Sequence, residues 1–249
     1  MSVMSPATDS FYDRHNRYQC DYFEGGPKKT MVPTKASSPY LDRHIDEVLA
    51  AGQVTREDRI LEVGCGMGRY TIPLALRGFR VEGLDVSAVL LDRLRDYGGG
   101  RLKVPLHAVD IMLPPSHFEG AFDVVMGFFV LHHIHDLIPS FAGMARVLKP
   151  GGRLVFVEPN PYNPLYYAQI AFTPGMRWQG ERGIVHMRRR VIADACARAG
   201  LSAYGLRRFG FFPPFVANRP AGQAVERVLE RVPVWRPALP FQLFTARRP

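Results

Sequence analysis

The sequence contains few cysteines and no long hydrophobic run. Its three cysteines, Cys20, Cys65 and Cys196, are too few and too widely spaced for a disulfide framework or a zinc site, so no metal site is predicted. The longest apolar run, residues 124–131, is far shorter than the roughly 20 residues that span a bilayer. The first twenty residues carry charges and no apolar segment, so no secretory signal is visible. These absences predict free thiols in a reducing compartment, no membrane span and a cytoplasmic protein.

Lysine is also scarce, because only five of the 32 basic residues are lysines and the others are arginines. The formal net charge of +9 fits an acidic partner such as nucleic acid, an anionic membrane or an anionic small substrate. The same arginine content also fits the codon bias of a GC-rich genome. The basic residues are dispersed, and the densest cluster, Arg188–Arg190, has no interleaved aromatic residues. The sequence therefore does not predict nucleic acid as a partner.

Short apolar segments alternate with amphipathic ones along most of the chain. The predicted strands are residues 59–63, 79–85, 103–109, 122–126, 153–158, 201–211 and 240–245. The predicted helices are residues 38–51, 70–77, 88–97, 138–148 and 189–199, with a further amphipathic helix marked by Val225, Val228, Leu229 and Val232. Residues 149–152 are predicted to form the turn that closes the fourth of these helices. This alternation predicts an α/β fold with a parallel sheet covered by helices on both faces.

Three segments lack a core pattern of their own and are predicted to cover a cleft. Residues 1–40 are polar and irregular and are predicted to be an N-terminal cap or lid on the domain 41–249. Residues 159–185 and 209–235 are predicted to be substrate-cap insertions. Their aromatic side chains suit an aromatic or lipid-like pocket, although most such residues serve packing. The apolar segment 209–215 is predicted to be core or a surface for a partner or membrane.

A glycine-rich turn follows the first predicted strand. Gly64, Gly66 and Gly68 come between the strand that carries Glu62 and the next helix. Such a turn lets a ligand approach the backbone closely, and the helix N-terminus presents unpaired N–H groups. The dinucleotide fingerprint needs its third glycine one residue later, where Arg69 stands, and the Lys-Ser/Thr of a phosphate loop is absent. The turn therefore predicts a ligand site other than one for NAD, FAD or a nucleoside triphosphate.

Two acids end the next two predicted strands. Asp85 lies 17 residues after Gly68, at a position where a carboxylate can accept hydrogen bonds from both ribose hydroxyls. Asp110 ends the third strand, where an acid can meet an adenine amino group. A single acid at a strand end is most often a helix cap, but two in register with the glycine turn predict a nucleoside site.

Together these segments resemble the class I S-adenosylmethionine-dependent methyltransferases. The resemblance rests on residues 62–68, Asp85, Asp110 with Leu113-Pro114, and residues 122–125, 131–136 and 147–152. It implies a Rossmann-like sheet of seven mostly parallel strands with one antiparallel strand near an edge. It also implies S-adenosylmethionine as the cofactor and S-adenosylhomocysteine as the product.

The resemblance assigns a role to each residue of the cofactor site. Gly64, Gly66 and Gly68 would let the methionine part of the cofactor lie on the backbone, and Glu62 would orient its amino group. Asp85 would hold the ribose and Asp110 the adenine.

The tip of the fourth strand bears on the acceptor. Family members that methylate amino groups of DNA bases carry Asp/Asn-Pro-Pro-Tyr here, whereas this chain has Gly127-Phe128-Phe129-Val130. The departure argues against methylation of nucleic-acid amino groups, and Phe128 is predicted to line the cofactor cleft or simply to pack. The following Leu-His-His-Ile segment, residues 131–134, resembles the branch of the family that acts on small molecules.

His132, His133 and Glu158 are the predicted catalytic residues. A histidine has an ordinary pKa near ~6.5 and suits the removal of a proton from an acceptor hydroxyl. We predict His132 as the general base and His133 as the fallback, because neighbouring residues on a helical turn point in different directions. Glu158 ends the fifth strand, which the resemblance places beside the fourth, and there a carboxylate would orient the imidazole. Solvated or capping roles remain open for the histidines and for Glu158.

The sequence thus predicts a methyltransferase that acts on a small-molecule substrate. The predicted acceptor is a natural product, a sugar or a lipid-linked metabolite that is methylated on oxygen. One alternative is an RNA or protein methyltransferase, which the positive charge would suit. Another is a non-catalytic domain that binds S-adenosylmethionine. The acceptor and the oligomeric state are not predicted.

Overall fold

Seven strands and ten α-helices make up the described part of the computed structural model, which comprises residues 11–25, 38–98 and 103–249. The strands are β1 (Arg59–Val63), β2 (Arg80–Asp85), β3 (Leu106–Ala108), β4 (Phe122–Phe128), β5 (Leu148–Pro159), β6 (Ser202–Phe209) and β7 (Phe241–Arg247). The helices are α1 (Phe11–Gly25), α2 (Pro39–Ala51), α3 (Thr71–Leu76), α4 (Ala88–Gly98), α5 (Leu137–Val147), α6 (Pro164–Phe172), α7 (Trp178–Glu181), α8 (Arg189–Arg198), α9 (Pro214–Ala217) and α10 (Pro220–Leu229). Short 3-10 helices span Leu131–His133, Arg182–His186 and Pro233–Ala238.

The strands form one sheet in the order β3-β2-β1-β4-β5-β7-β6. β1 to β5 run parallel, and β7 runs antiparallel to both β5 and β6. The predicted α/β class and seven-stranded, mostly parallel sheet are confirmed. Because parallel strands end at the same edge, β1, β2, β4 and β5 carry the residues that follow them to one side of the molecule.

Alternate side chains of the central strands pack against helices on opposite faces. On one face, Leu61 and Val125 join a buried cluster that includes Phe141 of α5 and Ile192 of α8. On the other, Ile60 and Val124 pack in a cluster with residues of α2 and α3. This burial on both faces explains why the strands lack a polar side and are continuous apolar runs in the sequence.

The N-terminal segment differs from the prediction. Residues 11–25 form a regular helix rather than an irregular cap, while residues 1–10 and 26–37 of the predicted lid lie outside the described residues. The helix has no continuous apolar stripe, and its buried contacts are polar side chains such as Gln19 and the aromatic Tyr22. A pattern of hydrophobic periodicity could not identify such a helix.

Four other segments also differ. β3 is shorter than predicted, and the predicted turn at residues 149–152 belongs to β5, whose first residue pairs with Phe122. The segment 159–185 contains α6 and α7 rather than only irregular chain. The helix α10 is present, but Val225 and Val228 of its apolar stripe are exposed while Glu226 is buried. Within the described residues, no helix has the length and apolar character needed to cross a membrane.

Candidate active site

The glycine turn between β1 and α3 takes the shape that a bound ligand needs. Gly64, Gly66 and Gly68 all have positive φ angles, of 72°, 50° and 80°, which side-chain-bearing residues rarely adopt. A Cβ on Gly64 would lie 2.1 Å from Cγ2 of Val130, so the turn packs directly on the segment after β4. A Cβ on Gly66 would meet only Leu90 Cδ1, at 4.0 Å, so open space adjoins the turn there.

Glu62 is a buried acid with an unused oxygen. Its side chain sits at the end of β1 with 2% relative exposure, and Oε2 has no hydrogen-bond partner among the described residues. Burial, with a smaller contribution from the nearby Asp85 carboxylate, raises the pKa of Glu62 to about 8. A cationic amino group next to Oε2 would pair with this carboxylate and restore its charge. The site therefore fits the amino group of S-adenosylmethionine, as predicted for Glu62.

Asp85 links the glycine turn to the start of α4. Its Oδ2 accepts a hydrogen bond of 2.9 Å from the backbone N–H of Gly66, and its Oδ1 accepts one of 2.9 Å from that of Ser87. A carboxylate offers about four acceptor positions, so both oxygens can accept further bonds from a diol. Burial raises the pKa of Asp85 although both backbone bonds oppose this shift.

Asp110 lies at the carboxyl edge of the sheet, beyond β3, and contacts α1. Its Oδ1 accepts a 2.9 Å bond from the N–H of Met112, and its Oδ2 accepts bonds from the hydroxyl of Tyr12 and, at 3.4 Å, the amide of Asn16. Oδ2 of Asp110, an oxygen that could accept from adenine, therefore already accepts hydrogen bonds from side chains of α1. An adenine amino group at this carboxylate would have to share it with Tyr12 or displace that hydroxyl.

The helix α1 extends from this cofactor side of the cleft to the histidines. Ser87, two residues after Asp85, donates a hydrogen bond from its hydroxyl to Glu24 near the end of α1. His15 Nε2 lies 2.9 Å from the carbonyl oxygen of His133. Gln19 donates to the carbonyl oxygen of Gly180 at 3.3 Å. A single helix thus contacts both the predicted cofactor residues and the predicted catalytic segment.

The chain turns sharply after β4. Phe129 has a φ of 56°, an unfavourable conformation for a residue with a side chain, and its ring packs at 5.2 Å from His44 and 5.5 Å from Phe241. The turn starts the short helix Leu131–His133 and directs the N–H groups of Val130 and Leu131 towards β5. Both donate to Oε1 of Glu158, at 2.8 and 2.7 Å. Packing of the aromatic ring and these two bonds hold a strained turn in place.

His132 and Glu158 form a buried pair at the tips of β4 and β5. Nδ1 of His132 lies 2.6 Å from Oε2 of Glu158, and the two side chains are 2% and 0% exposed. Because Oε1 is fixed by two backbone N–H groups, Oε2 is fixed as well, and it accepts the Nδ1 proton. The structure therefore brings together the two residues predicted to act as base and orienting acid.

Glu181 faces the other nitrogen of this imidazole. Its Oε2 lies 3.3 Å from Nε2 of His132 and accepts a 2.8 Å hydrogen bond from the hydroxyl of Tyr166. Its Oε1 accepts a 2.9 Å bond from the hydroxyl of Tyr22. Burial opposes a charge on His132, but the two carboxylates outweigh it and raise the pKa of His132 to about 9. This arrangement therefore favours the charged form of the imidazole.

Sequence reasoning missed Glu181. It is the only acid between Glu158 and Asp194, in a segment otherwise rich in aromatic residues, and this isolation was the available signal. Its flanking glycines allow α7 to approach closely. A Cβ on Gly183 would lie 1.8 Å from the carbonyl oxygen of His132, and one on Gly180 would lie 2.9 Å from the Tyr22 ring.

His133 lies next to His132 but has different partners. Its Nδ1 is 3.0 Å from the carbonyl oxygen of Gly180, and its ring packs edge-on against Phe23 at 4.8 Å. Its Nε2 is 3.9 Å from Oε2 of Glu181. His132, rather than the fallback His133, thus has the orienting carboxylate.

His132, His133 and Glu181 each present one ligand atom within 4.8 Å of the others, a grouping with the residue types of a metal site. No metal site was predicted from the sequence. Both oxygens of Glu181 already accept tyrosine hydroxyls, and Nδ1 of His132 faces Glu158. We therefore interpret the grouping as part of a hydrogen-bond network that joins the imidazoles, the carboxylates and the tyrosine hydroxyls.

Two roles were left open for Phe128, lining the cofactor cleft or packing. Its ring is 6% exposed and stacks on Tyr70 with the centroids 4.0 Å apart and the planes 7° from parallel. Both rings belong to the buried cluster on the α2 face of the sheet. Packing accounts for this position, and the contact of Phe128 with the cofactor stays a prediction.

Residues 61–156 match the family model described as a methyltransferase domain. Together with relatives named as methyltransferases, this match supports a class I S-adenosylmethionine-dependent methyltransferase domain within the chain. The matched range extends from β1 through the glycine turn, both acids and the histidines to the middle of β5. S-adenosylmethionine is the cofactor that this methyltransferase match supports. The unpaired oxygen of Glu62 and the open space at Gly66 fit that cofactor.

Individual relatives support this assignment. The chain is 27% identical over 161 residues to a ubiquinone biosynthesis O-methyltransferase of Aromatoleum aromaticum, covering 62% of this chain and 68% of that protein. Its fold resembles that of the [4+2]-cyclase SpnF, with a TM-score of 0.66, 21% identity and 98% coverage of both chains. It also resembles geranyl diphosphate C-methyltransferase from Streptomyces coelicolor, with a TM-score of 0.60 and 19% identity, covering 98% of this chain and 100% of the other.

Proposed function

We propose that this protein transfers the methyl group of S-adenosylmethionine to a hydroxyl oxygen of a small-molecule acceptor. The acceptor class we propose is a natural product, a sugar or a lipid-linked metabolite. The observation that carries the proposal is the buried pair of His132 and Glu158, whose atoms Nδ1 and Oε2 are 2.6 Å apart. Val130, which donates to Glu158, also packs directly on Gly64 of the glycine turn.

A fixed imidazole–carboxylate pair favours oxygen as the methylated atom. When bound, S-adenosylmethionine supplies an electrophilic methyl group whose leaving group needs no acid. A hydroxyl acceptor must lose a proton during the transfer, whereas a neutral amine needs no base for the attack itself. An oriented, buried base next to the cofactor turn would serve the first acceptor and be unnecessary for the second.

We assign each nitrogen of His132 a role. Nδ1–H stays hydrogen-bonded to Glu158, which fixes the tautomer and leaves Nε2 to accept the proton of the acceptor hydroxyl. The charge that forms on the ring is stabilised by the Glu158 carboxylate at 2.6 Å. Because both backbone bonds to Glu158 Oε1 are intrinsic to the β4 turn, the pair does not depend on the substrate for its alignment.

Glu181 regulates access to Nε2 in this proposal. It lies 3.3 Å from that nitrogen on the cap helix α7, where its charge adds to that of Glu158 in raising the pKa of His132. The acceptor hydroxyl must take its place beside Nε2, and the loss of this contact lowers the pKa of His132 so that the imidazole can act as a base. The substrate would thereby activate its own base on binding.

The covering of the cleft supports a small acceptor. We propose α1 and the segment 159–185 as the substrate cap, because Tyr22 and Tyr166 bridge them to the catalytic segment through Glu181. A surface for RNA would leave the histidines open, whereas His132 has 3% relative exposure. The name of the relative from A. aromaticum, an O-methyltransferase, supports the same acceptor atom.

A second candidate is a ring-forming reaction without methyl transfer. It is favoured by the likeness to the [4+2]-cyclase SpnF over 98% of both chains. In that case the bound cofactor would complete the pocket, and the product would have the mass of its substrate. His132 and Glu158 would then have no proton to remove in the reaction.

One experiment separates these functions. The purified protein is incubated with metabolite extracts and S-adenosylmethionine carrying a trideuterated methyl group, and products are followed by mass spectrometry with the His132→Ala variant as control. We expect a labelled methyl ether that is lost in the variant. A labelled N-methyl or C-methyl product would contradict oxygen as the acceptor atom. A product of unchanged mass would establish the cyclase candidate instead.

A further inference from the structure

The helix α10 presents its apolar side to solvent. Val225 and Val228 are 49% and 60% exposed, and Val232, one further turn along, is 37% exposed. Ala221 and Ala224 lie on the same stripe at helical spacing and are also exposed. In an ordinary surface helix this stripe would face the core. Here the buried residue of the helix is the acid Glu226, at 2%.

Polar contacts fix the helix in this orientation. Oε1 of Glu226 accepts hydrogen bonds from the backbone N–H groups of Phe211 and Phe212 at 2.7 and 2.8 Å, and Oε2 pairs with Arg43 at 2.8 Å. Glu230 accepts from the N–H of Gly210 at 2.6 Å and also pairs with Arg43, at 2.7 Å. Turning the valines inward would break all these bonds and leave buried groups unsatisfied. The contacts of Glu226 and Glu230 therefore keep the apolar stripe exposed.

The stripe continues into its neighbours. Phe215 of α9 is 73% exposed, and Val234 and Trp235 after α10 are 72% and 45% exposed. The Trp235 ring packs edge-on against Phe211 at 5.9 Å. We call residues 215–236 on α9, α10 and the following 3-10 helix the apolar platform.

Every exposed charge on the apolar platform is positive. Its exposed charged residues are Arg219, Arg227, Arg231 and Arg236. Its two acids, Glu226 and Glu230, are both bound to Arg43. Among the described residues, no acid forms an ion pair with the four arginines.

We propose that the apolar platform docks on an anionic lipid bilayer. Exposed valine, phenylalanine and tryptophan side chains beside unpaired arginines match the interfacial helices that lie in the headgroup region of a membrane. An acidic protein could meet the arginines, but the charge pattern together with an apolar stripe on one helix face favours the lipid surface. The docking surface does not depend on the chemistry at His132.

The platform also lies beside the substrate cap. The segment Pro233–Ala238 is held to the end of β5 by Asn160, which donates 2.8 Å bonds to the carbonyl oxygens of Pro237 and Leu239. Asn163, at the start of α6, donates to the carbonyl oxygen of Ala238 at 2.5 Å. A bilayer bound at the platform would therefore adjoin the cap segment that we assign to the cleft.

Vesicle flotation of the full chain tests the proposal. We expect binding to vesicles of phosphatidylglycerol and phosphatidylcholine in equal parts, and little binding to phosphatidylcholine alone. The double variant Arg227→Gln/Arg231→Gln should bind roughly 30-fold more weakly, because each arginine near an anionic surface contributes about fivefold. The matched control is Arg188→Gln/Arg189→Gln, which removes two exposed arginines at the start of α8 and should bind as the parent does. Equal loss in the control, or equal binding to both vesicle types, would overturn the proposal.

A second measurement tests the apolar contact. In Trp178→Phe, Trp235 is the one remaining tryptophan of the chain, and its fluorescence should shift to the blue and be quenched by brominated lipid. Val225→Asp/Val228→Asp should abolish this shift with an unchanged melting temperature, because both side chains are exposed. Unquenched Trp235 would overturn the proposal. A self-association without vesicles that Val225→Asp/Val228→Asp abolishes would instead assign the platform to a second copy of the chain.

Discussion

Replacing Glu158 by glutamine should change which nitrogen of His132 carries its proton. Oε1 of Glu158 accepts from the N–H groups of Val130 and Leu131, so the carbonyl oxygen of a glutamine must occupy this position. The amide nitrogen then faces Nδ1 of His132 and donates to it. Nδ1 becomes an acceptor, the proton of the neutral ring moves to Nε2, and the imidazole loses its ability to accept a proton from the substrate.

The structure also gives the size of the electrostatic change. The pKa of His132 is about 9 against an ordinary value of 6.5, and this difference corresponds to about 3 kcal/mol of stabilisation of the charged ring. Glu158 is nearer to the ring than Glu181, so its loss should remove roughly 2 kcal/mol of this. A raised pKa stabilises the fold fully below pH 6.5, and the contribution disappears as the pH rises through 9. Glu158→Gln should therefore be destabilised at pH 6 and much less so above pH 9.5.

Three measurements check this prediction on the cofactor-bound protein. Nitrogen-15 NMR of labelled histidine should show the pKa of His132 falling and its neutral form carrying the proton on Nε2. Denaturant unfolding at several pH values should show the stability difference shrinking as the pH rises. Turnover of the identified acceptor should fall by roughly 10²–10⁴.

Glu82→Gln provides a matched control. Glu82 also pairs with a histidine, its Oε2 lying 2.8 Å from Nε2 of His107, but this pair is not at the carboxyl edge of the sheet. The variant should leave the titration of His132 and turnover unchanged. The reasoning is refuted if Glu158→Gln retains both an Nδ1–H tautomer and the turnover of the parent.

Three further predictions concern the rest of the site. Asp85→Ala should weaken S-adenosylmethionine binding by roughly 1.5–3 kcal/mol, about tenfold or more by calorimetry. The control Asp194→Ala, on the surface of α8, should not weaken it. Unchanged affinity in Asp85→Ala would refute the ribose assignment. Residues 11–25 should become more protected from hydrogen exchange when S-adenosylhomocysteine binds, and equal exchange would contradict a lid. The profile of kcat/KM against pH should contain a limb that reports on His132, and Glu181→Gln should move this limb to lower pH. The reason is that the variant removes one of the charges that raise the pKa of His132. An unmoved limb would exclude Glu181 from this role.

The sequence was sufficient where local pattern and burial agree. The buried runs of β1, β2 and β4 and the turn of Gly64, Gly66 and Gly68 predicted the sheet, its cofactor edge and the family. His132 and Glu158 could be paired because β4 and β5 are neighbours in the sheet. The cofactor edge follows from a short stretch of chain and one general rule of α/β sheets. The adjacency of β4 and β5 was implied by the resemblance to the methyltransferases.

The residues that were missed depend on contacts between distant segments. Glu181 belongs to the site only because Gly180 and Gly183 let α7 pack against Tyr22 and His132. The helix α1 is held by polar bonds to Asp110 and Gly180, which hydrophobic periodicity does not reveal. The orientation of α10 follows from backbone N–H groups of residues 211 and 212 that only the fold brings to Glu226.

The claim that His132 is the general base is tested most directly by the kinetics of His132→Ala on the acceptor identified by methyl labelling. The account predicts that turnover falls by roughly 10²–10⁴ while the affinity for S-adenosylhomocysteine, measured on the same preparation, stays nearly unchanged. The pH dependence that the parent shows from His132 should disappear in the variant. Full turnover of His132→Ala across the pH range would contradict the account and leave positioning alone as the source of catalysis.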